Sequence, residues 1–398
     1  MNRPRIYMDN AATSFPKPAA VLDAMTRFAT DIGASPGRGA YAQAIEAGRL
    51  MHQCRERLAA LIGDPRHPEH IIFTLNTTDA LNMAIRGLLR EGDHAITTAM
   101  DHNSVLRPYH ALTEQIRLST THVKVDPATG LVDPDDIRAA ITPRTKLIAI
   151  VHGSNVSGTV QPIGDVGRIA REHNIPFLVD AAQTLGHMPL NVEREMIDLL
   201  AFPGHKGLLG PLGTGGLYIR PGIEKRMRTV REGGTGSLSE IDRQPDFMPD
   251  RFEPGSHNAI GIIGLSEGVA WILDKTVEKL WAHEQGLIRT MIEGLSDIPG
   301  LRYLGPQGVK HRCGVFSIVL ERDGGHENPQ ALADLLERDY GLLTRAGIHC
   351  APMAHATFRT TALGGATRLS FGPFLTVQDV RYATDALAQV VMGSSVPA

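Results

Sequence analysis

From Pro68 to Arg220 the chain alternates short apolar runs with helix-like stretches. The runs are HIIFTL (70–75), HAITTA (94–99), THVKV (121–125), KLIAIV (146–151), IPFLVD (175–180), DLLAF (198–202) and GGLYIR (215–220). Each has the length of a strand. Several are apolar at nearly every position, as strands covered on both faces are. Helical patterns lie between them, at Asp79 to Arg90 and at Ile163 to His173, the second opening after Pro162. This alternation predicts an α/β fold with a parallel sheet covered by helices. In such sheets ligands bind beyond the carboxyl ends of the strands.

Arg228 to Pro254 is rich in Gly, Pro, Asp and Arg and reads as a long irregular loop. A helical pattern from Gly261 to Ser296 is expected to bridge to a second, smaller domain. That domain is expected to hold a strand in CGVFSIVL (313–320), a helix near Pro329 to Asp339, a strand near Ala366 to Phe371 and a last helix from Val377 to Met392. The division expected is 15–260 for the large domain and 261–398 for the small one, with 1–14 packing on the small domain or the active site.

A chain of 398 residues is long enough for about two domains. Apolar residues at 42% and charged residues at 21% are ordinary for a globular protein. A net charge of -3 without a polybasic run gives no reason to expect a nucleic-acid or membrane surface. No apolar stretch approaches the ~20 residues of a membrane span, and the N-terminus has no signal-peptide core. Cys54, Cys313 and Cys350 are widely spaced, which suits a reducing cytoplasm and neither a disulfide framework nor a CxxC metal site.

Polar residues recur at the predicted strand ends. Asp180 ends IPFLVD and reads either as a helix N-cap or as the partner of a protonated ring nitrogen. Lys206, alone among the lysines, sits between His and Gly in the glycine-rich PGHKGLLGPLGTGG. It reads as a cover for the turn or, desolvated, as a Schiff-base amine. Thr77 and Thr78 open a predicted helix, where hydroxyls and free N–H groups either cap or hold a phosphate. His102, in DHNSVL, can stack on a planar ligand or move protons. Asn155, in VHGSNVSGT, is a donor to a ring oxygen or a carboxylate, or a turn former. Taken together they make a set that pyridoxal 5'-phosphate requires.

The chain here resembles the cysteine desulfurase and selenocysteine lyase family, in the class V group of fold-type I pyridoxal-phosphate enzymes. The matching segments are YMDNAAT (7–13), LNTTDALN (75–82), DHNSVL (101–106), HGSNVSGT (152–159), VDAAQ (179–183), GHKGLLGPLGTGGLY (204–218), RFEPGSHN (251–258) and RAGIHCAP (345–352). The resemblance implies a large domain with a mostly parallel seven-stranded sheet and a smaller C-terminal α+β domain. It implies that Lys206 bonds the cofactor, Asp180 pairs with its ring nitrogen, Gln183 with its ring oxygen, and His102 stacks on the ring. Thr78 and His205 would hold the phosphate, and Thr77 and Asn155 belong to the same cofactor-binding set. Ser256 would reach the phosphate of a neighbouring subunit, implying a homodimer with shared active sites. Arg368 would bind the substrate carboxylate, with Asn155, Arg38 and Arg345 close by.

Cys350 in RAGIHCAP matches the nucleophile of the group II desulfurases. The implied reaction converts L-cysteine to L-alanine and leaves sulfur on Cys350 as a persulfide, for an acceptor protein to collect. Selenocysteine is a second expected substrate. A thiolate must attack, and Arg345 and His349 are expected to favour it. The alternatives are another C–S lyase, an epimerase or an aminotransferase on the same cofactor, or a sulfur carrier without turnover. Three positions depart from the pattern. Pro203 stands where relatives often have Ser, Asn76 where many have Gly, and Ile348 where the cysteine motif commonly has His. The segment 355–367 is also slightly long.

Overall fold

The computed structural model describes residues 5–36, 39–322 and 325–393. All seven apolar runs form strands of one sheet: Ile71–Thr74, His94–Thr98, Ser119–Val123, Thr145–Val151, Phe177–Asp180, Leu199–Pro203 and Gly215–Ile219. Their order across the sheet is 71–74, 215–219, 199–203, 177–180, 145–151, 94–98, 119–123. Gly215–Ile219 is antiparallel to both neighbours and every other adjacent pair is parallel. Six strands therefore point the same way, and their carboxyl ends share one rim.

Burial follows the alternation of side chains along each strand. One face carries Ile71, Phe73, Ile96, Ile148, Ile150, Val179, Leu200 and Phe202, packed with Leu58, Leu61, Ile262 and Leu265 from helices Ala42–Leu61 and Ala259–Lys275. The other carries Ile72, Ala95, Leu147, Leu178, Leu199 and Leu217 against Leu81, Ile85, Tyr109 and Leu112 of helices Thr77–Leu88 and Asn103–Ile116. Each such fully buried Leu or Ile contributes ~1.5–3 kcal/mol, so the rim stands on a rigid base.

The C-terminal part has its own core, with Leu287, Met291, Phe316, Ile318, Leu336, Leu369 and Leu387, joined by Ile6 and Met8. Strands Val315–Arg322, Arg345–Gly347 and Ala366–Ser370 pair antiparallel, and helices Pro329–Tyr340 and Val377–Met392 form where the sequence predicts them. The N-terminal strand Ile6–Tyr7 lies parallel to Leu342–Leu343. Residues 228–254 contain no strand and only the short turn of helix Asp250–Phe252.

The helical pattern at 261–296 is not one helix. Ala259–Lys275 ends and Val277–Leu295 begins on either side of Thr276, whose φ of 65° and ψ of 138° break the helix. Ile262, Leu265 and Val269 of the first helix pack on the large sheet, whereas Leu287 and Met291 of the second pack in the C-terminal core. The chain turns from one core to the other at this residue.

Candidate active site

At the rim lies a cavity of about 490 Å³ lined by Asn76, Thr77, Thr78, His102, Ser104, Val151, Gly153, Asn155, Asp180, Ala182, Gln183, His205 and Lys206. Thus eight of the candidate residues, from Thr77 to Lys206, come together there. They are far apart in sequence and meet because each follows or ends a strand whose carboxyl end reaches the rim.

Thr77 and Thr78 begin helix Thr77–Leu88, capped by Asn76, whose Oδ1 accepts from Asp79 N at 3.0 Å. Asn76 has φ -177°, an extended backbone open to any residue, so glycine is not required there. Thr78 Oγ1 lies 2.8 Å from Ser104 Oγ, which lies 2.9 Å from His102 Nδ1. The Ser104 N–H also donates to His102 Nδ1, at 3.1 Å. Nδ1 is therefore the acceptor and the ring proton sits on Nε2. Burial, helped by the Lys206 charge, pushes the His102 pKa down to about 4, so the ring is neutral. Asp101 fixes the preceding turn by accepting from Thr98 N at 2.8 Å and Thr98 Oγ1 at 2.7 Å.

Asp180 ends its strand buried, with Oδ1 accepting from Ala182 N at 2.9 Å. Desolvation raises its pKa, opposed by that backbone donor and by Lys206. Lys206 stands in a turn where the neighbouring glycine is required: a Cβ on Gly207 would lie 2.4 Å from Leu185 O. Burial pushes the Lys206 amine down to about 8, against the upward pull of Asp180. Gln183 Nε2 donates to Ala11 O at 2.9 Å. His205 Nδ1 is buried with no partner among the described residues. The His205 carbonyl, in the peptide bond to Lys206, faces four donors: Lys17 Nζ at 2.9 Å, Ser14 N and Thr13 Oγ1 at 3.0 Å, and Ser14 Oγ at 3.1 Å.

The C-terminal part supplies two arginines and the thiol. Arg345 and Arg368 are register partners on adjacent strands. Arg368 is buried, donating from Nη1 to Asn155 O at 3.2 Å and from Nη2 to Asp9 Oδ1 at 2.8 Å. Its Nε has no partner among the described residues. Neither arginine lines the cavity, but the charges of both act to lower the Lys206 pKa. Cys350 is exposed, whereas Cys54 and Cys313 are buried. Its loop is tied to the large sheet: Asn155 Nδ2 donates to His349 O at 2.6 Å and Asn103 N to Cys350 O at 2.8 Å. His349 and Cys350 are both left-handed, with φ of 52° and 57°, a pair of conformations costing of order 1–3 kcal/mol each. Ala351, Ala354 and Phe358 anchor the loop on Met100, Val151 and Val156.

His349 offers no positive charge to a thiolate. Its ring is buried and burial, with Arg368 second, pushes its pKa down to about 2, so it carries no charge at neutral pH. Ser256 is exposed and does not line this chain's own cavity. Arg38 lies outside the described residues. The sequence reading missed Asp9, Lys17 and Ser104. Asp9 lay inside a quoted motif, YMDNAAT, but its contact with Arg368 spans 359 positions and leaves no local signal.

The aminotransferase class-V family model matches residues 6–382. A curated relative from Methanothermobacter thermautotrophicus, named a probable cysteine desulfurase, is 33% identical over 98% of this chain and 95% of its own. A cysteine desulfurase from Yersinia pseudotuberculosis is 32% identical over 95% of this chain and 91% of its own. The apo structure of a cysteine desulfurase from Thermococcus onnurineus superposes with a TM-score of 0.89 at 31% identity, covering 98% of this chain and 95% of that one.

Proposed function

Because this chain belongs to the aminotransferase class-V family, we propose that it is a pyridoxal 5'-phosphate-dependent cysteine desulfurase, turning L-cysteine into L-alanine and carrying the sulfur on Cys350. One observation carries the reading: a half-buried lysine with its amine pushed down to about 8 shares a cavity with a buried carboxylate, and the loop bearing the one exposed thiol among the described residues is bonded at His349 O to Asn155 of that cavity's wall.

The residues fit the cofactor. The Lys206 amine is available for an aldehyde, Asp180 for a ring nitrogen, and Gln183 for a ring oxygen. Helix Thr77–Leu88 offers its N-terminus and two hydroxyls to a phosphate, and His205, whose Nδ1 has no partner among the described residues, lines the same cavity. When bound, the cofactor supplies an electron sink for the bonds around the amino acid's Cα. His102, neutral and protonated at Nε2, presents a flat ring with one proton to donate. Arg368 binds the substrate carboxylate, with Arg345 and Asn155 beside it. Lys206 moves the Cα proton. Cys350 Sγ bonds the substrate sulfur as the C–S bond breaks; carbon keeps that electron pair and takes a proton, giving alanine and a persulfide.

Ser256 is exposed and does not line this chain's own cavity, which supports a homodimer in which it completes the partner's phosphate site. An acceptor protein collecting sulfur from exposed Cys350 belongs to the same reading, as do a reducing cytoplasm and selenocysteine as a second substrate. Among the described residues no helix is long and apolar enough to cross a membrane.

The test is mass spectrometry after incubating the cofactor-loaded chain with L-cysteine. Added sulfur on the peptide holding Cys350, with alanine released in step, is expected; Cys350→Ala loses both. Undiminished alanine release from Cys350→Ala, or pyruvate or a keto acid in its place, overturns the assignment.

A further inference from the structure

We propose that Ser104 is a phosphate ligand of the cofactor site, providing the hydroxyl that the strand end at Pro203 does not. The inference rests on the cofactor reading above.

Three hydroxyls line the cavity: those of Thr77, Thr78 and Ser104. The first two open helix Thr77–Leu88. Ser104 is the second residue of a different helix, Asn103–Ile116, of 14 residues. Two helix N-termini therefore meet at one corner of the cavity, and the 2.8 Å contact between Thr78 Oγ1 and Ser104 Oγ measures how closely. Each brings partial positive charge and N–H groups toward an anion. Pro203 is buried at its strand end, has neither hydroxyl nor N–H, and is absent from the cavity wall.

Ser104 is more than nine-tenths buried, and its hydroxyl is not committed to the fold elsewhere. Its contacts are Thr78 Oγ1 and His102 Nδ1, both lining the same cavity. The His102 Nδ1 lone pair is already served by the Ser104 N–H at 3.1 Å. The hydroxyl proton is thus free to turn toward an oxyanion, leaving His102 held by the backbone. Thr78 and Ser104 then present two hydroxyl donors to neighbouring phosphate oxygens. The same residue links the phosphate corner to the ring-facing histidine, fixing both against one helix end.

The test compares two probes, pyridoxal 5'-phosphate and pyridoxal, which differ only in the phosphate. Their dissociation constants are measured by absorbance on the cofactor-free chain. Ser104→Ala is expected to weaken pyridoxal 5'-phosphate roughly tenfold or more, the loss of one charge-assisted hydrogen bond, and to leave pyridoxal unchanged. Ser104→Thr keeps a hydroxyl and is expected to bind both as the unmodified chain does. Adding Pro203→Ser to Ser104→Ala is expected to recover affinity. Unchanged pyridoxal 5'-phosphate affinity in Ser104→Ala overturns the proposal, and so does an equal loss for both probes, which marks a general disturbance of the site. An unmodified chain that binds neither probe sinks the cofactor reading itself, and this assignment with it.

Discussion

Environment separates the three thiols. Burial pushes the Cys54 thiol up to about 12 and raises that of Cys313 further, which leaves both inert at neutral pH. Cys350 is held at the surface by a backbone bonded from beneath, its sulfur free. A thiol-alkylating reagent is therefore expected to modify Cys350 alone in the folded chain; labelling of Cys54 or Cys313 at a comparable rate, read by peptide mass spectrometry, contradicts this. Lys206 gives a second prediction. Only the neutral amine adds to an aldehyde, and its neutral fraction rises with pH through about 8, where an ordinary lysine continues to rise toward ~10.4. The rate at which the cofactor-free chain bonds pyridoxal 5'-phosphate should climb with pH and flatten just above 8. Asp180 pulls the amine upward, so Asp180→Asn should move that plateau to lower pH. A plateau moved upward, or none below pH 10, contradicts the assigned environment.

Elements explain what was legible. The seven strands showed in the sequence because runs such as FLVD and LLAFP are buried at every position, and that demand is written locally. Asp180 and Lys206 followed, because a strand end next to a glycine-rich turn is also local. The break at Thr276 was not legible: LDKTVEK holds neither Gly nor Pro, and what bends the chain is the divergence of two cores. At φ 65° and ψ 138° only glycine is free of strain. Thr276→Gly should thus hold stability level or raise it by about 1 kcal/mol, although glycine costs about that much inside a helix. A drop in the denaturant midpoint indicates that threonine holds the turn by its side chain. Lys17 was invisible for another reason. Its role depends on a carbonyl 188 positions away, and its amine, pushed down to about 8 by burial, has no carboxylate within ion-pair reach among the described residues. Lys17→Met leaves three other donors on that carbonyl, so the fold should survive. The peptide bearing Lys206 loosens, and turnover should fall while the melting temperature moves by only a few degrees.

At the scale of the molecule, the segment from Ile6 to Lys17 ties the parts together. It pairs with Leu342–Leu343, holds Arg368 through Asp9, and ends on the carbonyl before Lys206. Glu284 makes a second tie, accepting from Gly314 N at 2.7 Å and bonding His187 Nδ1 at 2.5 Å. The same N-terminal segment leaves Phe15 62% exposed beside Leu22 at 58% and Leu212 at 68%, along an apolar groove with Val21, Met25 and Pro211. Large apolar side chains grouped in this way are seldom left to water. On the proposed homodimer reading, a second copy of this chain would cover this groove and also give exposed Ser256 a use. Leu212→Glu places a charge in the middle of that groove without touching the cavity, so the variant should fold. If that reading holds, sedimentation should report a dimer for the unmodified chain and monomers for the variant. If Ser256 completes the partner's phosphate site, the monomer should also release pyridoxal 5'-phosphate faster, and Ser256→Ala should do so while remaining dimeric. A Leu212→Glu chain that stays dimeric places the contact elsewhere; a monomer that holds the cofactor as firmly as before means that each chain builds its site alone.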